Sequence, residues 1–135
     1  MKKLLLAFTL LFAFNLANAD NKWIFFDTSK DGKISYHFNV KSIHRTGNKV
    51  KMLTLWNYEA VNEEFPDVSS ATWMMEFDCK TNKARLLVAT AYYGNMAFGD
   101  VYDSIKSTDK TWVPRVPGSL GEAELKFACN ANKIK

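Results

Sequence analysis

Residues 72–93 read TWMMEFDCKTNKARLLVATAYY. Trp73, Met75, Phe77 and Cys79 fall on alternate positions, which puts all four on one face of an extended strand. Lys80-Thr81-Asn82-Lys83 is polar and turn-like, and Arg85 to Tyr93 is a second β-rich run that answers the first. The segment predicts an antiparallel strand pair.

Working towards the N-terminus, the same pattern recurs. Lys22 to Phe26 is a short aromatic, apolar run that ends in Ser29-Lys30-Asp31-Gly32. Ile34, Tyr36 and Phe38 then alternate, with Ser35 and His37 on the opposite face, and the Asp-Gly pair predicts a hairpin; if that face is outward, His37 is a solvent-exposed polar residue. A break is expected over Asn39 to Ser42, then Ile43 leads into a second turn at Thr46-Gly47-Asn48. Lys49 to Tyr58 is a long strand with Val50, Met52, Thr54, Trp56 and Tyr58 on one face. Glu59 to Ser70, with Pro66 and little periodicity, reads as a loop.

Towards the C-terminus, Gly94 to Gly99 reads as a break and Val101 to Ile105 as a further short strand. The period then changes. Ser119-Leu-Gly-Glu122 has the spacing of a capping box, in which each side chain accepts an orphan backbone N–H at a helix start. Glu122 and Glu124 suit the positive end of the helix dipole. Leu125 and Cys129 lie one helical turn apart, so Cys129 belongs near the end of a C-terminal helix.

The N-terminus carries a different signal. Lys2 and Lys3 precede an apolar run from Leu4 to Phe14, and Ala17-Asn18-Ala19 is a small-x-small cleavage pattern before Asp20. Residues 1–19 therefore read as a signal peptide cleaved between Ala19 and Asp20, with residues 20–135 a single domain. An uncleaved anchor is the alternative, although the run is shorter than the roughly 20 residues that span a bilayer. With no Cys at the cut, no lipid anchor is expected there, and no transmembrane segment is expected once the leader is gone.

Export changes the reading of the cysteines. Cys79 and Cys129 are the only two in the chain, an even number for an oxidising compartment, so they are expected to form one disulfide. It would pin the C-terminal helix onto the sheet, and closing a loop of about 50 residues stabilises by on the order of 4 kcal/mol.

Of the 18 Lys and Arg, Lys2 and Lys3 fall in the leader, which leaves 16 against 14 Asp and Glu. The mature domain is near neutral, and no specific nucleic-acid partner is expected. The charges are nevertheless segregated. Lys33 to Tyr58 holds Lys33, Lys41, Arg45, Lys49 and Lys51 and no acid, whereas Met52 to Cys79 holds six acids and no Lys or Arg. Either the two stretches lie side by side and neutralise each other, or the basic arm (Lys41, His44, Arg45, Lys49 and Lys51) presents a field that attracts polyanions or acidic partners.

Sites for chemistry are not evident. Phosphate-binding glycine loops, zinc and calcium spacings and a nucleophile elbow are all missing from the sequence. His37 and His44 could serve a small hydrolase, but no nucleophile, base and orienting group can be nominated together. We read the domain as non-enzymatic and expect no cofactor.

Several pieces, in order, resemble the surface-adhesin protein E family: Trp23-Ile24, Ser42 to Val50, Trp56-Asn57-Tyr58, Glu76-Phe77-Asp78-Cys79, Arg85, Tyr92, Trp112-Val113-Pro114, Pro117-Gly118-Ser119 and Cys129. The resemblance implies an α+β fold, a twisted antiparallel β-sheet of about six strands, with a C-terminal α-helix packed on it and tied by the disulfide. It also implies a protein partner, host extracellular-matrix or serum proteins, and a homodimer as one assembly state. The alternative is a periplasmic interaction module, a hydrolase inhibitor or envelope accessory, that shares only the fold. Location would be the periplasm or the cell surface.

Overall fold

The computed structural model describes residues 23–131; the expected leader and its expected Ala19/Asp20 boundary lie outside the described residues. Six strands follow one another as an antiparallel meander: β1 (Trp23–Thr28), β2 (Ile34–Thr46), β3 (Lys49–Tyr58), β4 (Ser70–Asp78), β5 (Lys83–Tyr92) and β6 (Val101–Lys106). A short β7 (Val113–Pro114) pairs with the start of β5, and the helix α1 (Leu120–Asn130) closes the chain. This is the expected α+β architecture.

Turn chemistry sets the connections. Asp31 accepts hydrogen bonds from the Ser29 hydroxyl (2.6 Å) and the Lys33 amide (3.0 Å), while Gly32 takes a φ of +72° that a side chain would resist. At the β4–β5 turn, Asp78 accepts from the amides of Lys80 (3.0 Å) and Thr81 (3.2 Å).

One face of the sheet packs against α1. Phe38, Val50, Met52, Phe77 and Ala84 from the strands meet Leu125 and Ala128 from the helix. Phe38 is stacked between Phe26 and Phe127, with ring centroids 4.5 and 4.7 Å away. Cys79 and Cys129 are bonded with 5.8 Å between their Cα atoms, so the expected staple is present. A second tether lies beside it: Arg45 Nη1 donates to the Cys129 carbonyl at 3.1 Å, satisfying an acceptor at the helix C-terminus.

Along the backbone the structure departs from the sequence reading at three places. β2 does not break at Asn39; it continues through a bulge between Asn39 and His44. Ser42 makes this possible, because its hydroxyl donates to the Asn39 carbonyl (2.6 Å) and accepts from the Leu53 amide (2.8 Å), replacing a missing ladder bond. β7 was not anticipated, since its two residues carry no periodicity. The capping box is also offset. Ser119 accepts from the Glu122 amide as expected, but Glu122 accepts from Gly118 (3.2 Å), because the Ser119 amide already bonds the Val116 carbonyl.

Candidate functional site

A row of aromatic side chains crosses the helix-bearing face of the sheet. Tyr36, Trp56 and Trp73 come from three consecutive strands, with centroids 5.5 and 5.2 Å apart. The register then places Ala89 beside Trp73 and Ala91 beside Ala71, so the row steps from indole to methyl as it enters β5. That loss of volume leaves a hollow. It is a groove of about 230 Å³, bounded by Trp73, by Phe65 and Val68 of the β3–β4 loop, and by Tyr102 and Ile105 of β6.

The outer wall of this groove is unusual. Every residue of β6 is exposed, including Val101, Tyr102 and Ile105, the last 61 % exposed. β6 ends the sheet, so its outer backbone edge has no strand partner among the described residues. Tyr93 and Phe98 add exposed rings from the β5–β6 connection, Tyr93 lying edge-on to Tyr102 at 5.4 Å. An exposed apolar edge strand is a pairing site for an extended segment unless something blocks it.

On the other side of Trp73 a cavity of about 260 Å³ opens between the sheet and α1. Its lining is Thr54, Trp56, Trp73, Met75, Leu86, Arg115 and Glu124. Glu124 is buried, and burial pushes its carboxyl up to about 7 despite the opposing charge of Arg115. The guanidinium stands 3.6 Å from that carboxylate and 5.7 Å from the Phe77 ring centroid. Gly121 makes room for it, since a Cβ there would come within 2.9 Å of Arg115 Nη1.

The histidines do not form a catalytic pair. His37, which would be solvent-exposed if its face were outward, is buried: its Nε2 lies 3.0 Å from Ser35 Oγ, and Phe25 packs edge-on against its ring at 5.6 Å. Ser35 donates its hydroxyl proton to Glu59 at 2.6 Å, so that proton is directed at a carboxylate and not at the imidazole. Burial lowers the His37 pKa, against the pull of Glu59, while the hydrogen bonds from Ser35 and Asn57 lower that of Glu59. The neutral imidazole then gives its proton to Ser35, the reverse of an activated nucleophile. His44 is exposed on β2, far along the strand from His37.

The basic arm is divided by the fold. His44 lies opposite Lys51 in the β2–β3 ladder, while Arg45 reaches α1 and Lys41 falls inside the bulge. The β3–β4 register sets Lys49 against Asp78 and Lys51 against Glu76. The two stretches therefore meet at these two pairs, while Glu59, Glu63, Glu64 and Asp67 lie in the β3–β4 connection. Arg85 adds a 2.7 Å ion pair to Glu76 and stacks on Trp112 at 4.3 Å. Basic side chains gather instead around a groove of about 530 Å³, where Lys51 meets Arg85, Lys106 and Lys110. That grouping was invisible in sequence because it draws on β3, β5, β6 and the segment after β6.

Among the described residues no group of three or more His, Cys, Asp and Glu side chains is placed to hold a metal ion. No helix there is long and apolar enough to cross a membrane. Compared with known proteins, residues 23–130 match the family model described as Surface-adhesin protein E. A search of the curated proteins finds none that matches the chain.

Proposed function

The chain belongs to the surface-adhesin protein E family, and from that premise we propose that it is an exported, non-enzymatic binding protein whose partners are host extracellular-matrix or serum proteins. The observation that supports this reading most is the open edge of β6. Val101, Tyr102 and Ile105 are exposed there beside an apolar groove, with Phe65, Tyr93 and Phe98 close by in the connecting loops. An extended partner segment adding to that edge would gain main-chain hydrogen bonds, and the groove would take alternate side chains. The disulfide and the α1 contacts brace the sheet that carries this edge.

The test is surface plasmon resonance against purified matrix and serum proteins, comparing the wild type with Ile105→Lys and Val101→Lys. Both positions are more than half exposed, so the fold should tolerate the changes. A loss of affinity of about tenfold or more with unchanged thermal unfolding supports the β6 reading. Equal binding by the variants, or no binding to any protein in the panel, refutes it. Protease treatment of intact cells separates the surface reading from the periplasmic one. A surface protein is cut, whereas a periplasmic module survives until the outer membrane is opened.

A further inference from the structure

The hollow beside β6 has a sign of charge as well as a shape. Asp103 is the one formally charged residue in its lining; the rest is apolar, aromatic or neutral. Strand register places that carboxylate. Residues directly opposite in neighbouring strands share a face. Ala71, Ala91 and Asp103 therefore form one row across β4, β5 and β6, and Trp73, Ala89 and Ile105 form the next. Asp103 is exposed, and its Oδ1 accepts from the adjacent Ser104 amide at 2.8 Å.

The opposite wall belongs to an acidic segment. The β3–β4 connection that supplies Asn62, Phe65 and Val68 to the lining also carries Glu63, Glu64 and Asp67. Its turn is ordered, since Asn62 Oδ1 accepts from the amides of Glu64 (3.0 Å) and Phe65 (3.3 Å). Glu64 lies close enough to Tyr58, another lining residue, to help raise the pKa of its phenol. Neither these three carboxylates nor Asp103 forms an ion pair among the described residues. The cation nearest to Asp103 in the chain, Lys106, follows Ile105 and so points to the other face of the sheet. There it lines the groove shared with Lys51 and Arg85. The negative charge at the hollow is thus left without a counter-charge.

This combination selects one kind of side chain. An apolar hollow with a carboxylate in its wall fits a long aliphatic stem that ends in a cation, because the stem is buried while the head stays hydrated beside the acid. Aromatic rings such as those of Phe65 and Tyr102 add attraction where a cation lies over them. We propose that the protein segment added to the β6 edge is a basic one, with a lysine or arginine set opposite Asp103 and its side chain laid into the hollow. The inference rests on the β6 reading above and narrows its partner. Two positions along the same segment, opposite Ile105, the next side chain on that face is apolar. The hollow, about 230 Å³, lies below the roughly 300–1,000 Å³ of sites for drug-sized ligands, so it suits a single side chain.

Three fluorescein-labelled heptapeptides test this by anisotropy: Thr-Val-Thr-Lys-Thr-Val-Thr, and the same peptide with Met or Glu in place of Lys. The sequence reads alike in both directions, so it serves parallel and antiparallel addition. The Lys peptide should bind most tightly and the Glu peptide about tenfold or more weaker, with the Met peptide between them. The gap should shrink as salt is raised. Asp103→Asn keeps the acceptor for the Ser104 amide and should bring the Lys and Glu peptides to within about threefold of each other. Equal binding of the three peptides, tighter binding of the Met or Glu peptide, or an order of affinities unchanged in Asp103→Asn overturns the basic-segment inference and leaves the β6 edge standing. If none of the three binds, the β6 reading fails and this inference falls with it.

Discussion

Replacing Glu124 by Gln should stabilise this protein at pH 8 and leave it unchanged at pH 4. The carboxyl sits on the sheet-facing side of α1, buried, with one cation at 3.6 Å. Burial raises its pKa from 4.5 to about 7, with Arg115 opposing. That difference, which already includes the attraction to Arg115, corresponds to about 3 kcal/mol between the neutral and ionised forms. Below pH 4.5 the folded and unfolded chains both hold the proton, and the side chain costs nothing extra. Between 4.5 and about 7 the unfolded chain ionises first, so stability falls as pH rises. Above about 7 the full penalty is present. Gln resembles the protonated form and escapes it, so the variant should gain up to about 3 kcal/mol at pH 8. Burial depresses the His37 pKa, so that residue works in the opposite sense: its contribution is present above its ordinary value of 6.5 and lost as pH falls. The assay is therefore the difference between wild type and variant, from urea denaturation at pH 4, 6 and 8. Because His37 is common to both proteins, its effect cancels. A difference that is flat with pH, or a variant less stable at pH 8, refutes the reasoning.

Two further outcomes follow from the packing. Cys129→Ser opens a loop whose ends are 50 residues apart and should lower stability by about 2–5 kcal/mol, read from urea midpoints; unchanged midpoints in the variant and after reduction would show that α1 is held without the bond. Gly94→Ala puts a Cβ 2.2 Å from the Phe98 carbonyl oxygen, so it must distort the loop that places Asn95 and Met96 over Asn57. It should lower the thermal midpoint by several degrees in calorimetry, about 1 kcal/mol or more, and an unaltered midpoint would show that this loop gives way freely.

Much of this architecture was legible because its determinants are local. Alternation in Thr72–Cys79 and Lys49–Tyr58 fixes which side chains share a face, and the structure buries Val50, Met52 and Phe77 on the face that meets α1. Asp31-Gly32 fixes a turn, and Ser119 with Glu122 fixes a helix start to within one hydrogen bond. Where the pattern misled, a side chain had replaced backbone. The apparent break at Asn39–Ser42 is a bulge that the Ser42 hydroxyl bridges, and a serine hydroxyl carries no periodic signature. The burial of His37 is not legible in the pattern, because alternation assigns a face but does not say what covers it.

The candidate sites depended on tertiary structure for a similar reason. The sequence by itself determined the strands, the turns, the capped helix, the two cysteines available for pairing and the segregation of charge, all encoded within a few residues of chain. Only the tertiary structure decided that Ala89 and Ala91 would leave a hollow beside Trp73, that β6 would end the sheet with its edge open, and that Lys49 and Lys51 would face Asp78 and Glu76. It also brought Arg115 to Glu124 and to the wall formed by Trp56 and Trp73. Strand register and the packing of a helix on a sheet join residues far apart in the chain, so the volumes, edges and charge pairs they create have no counterpart in any local run of sequence.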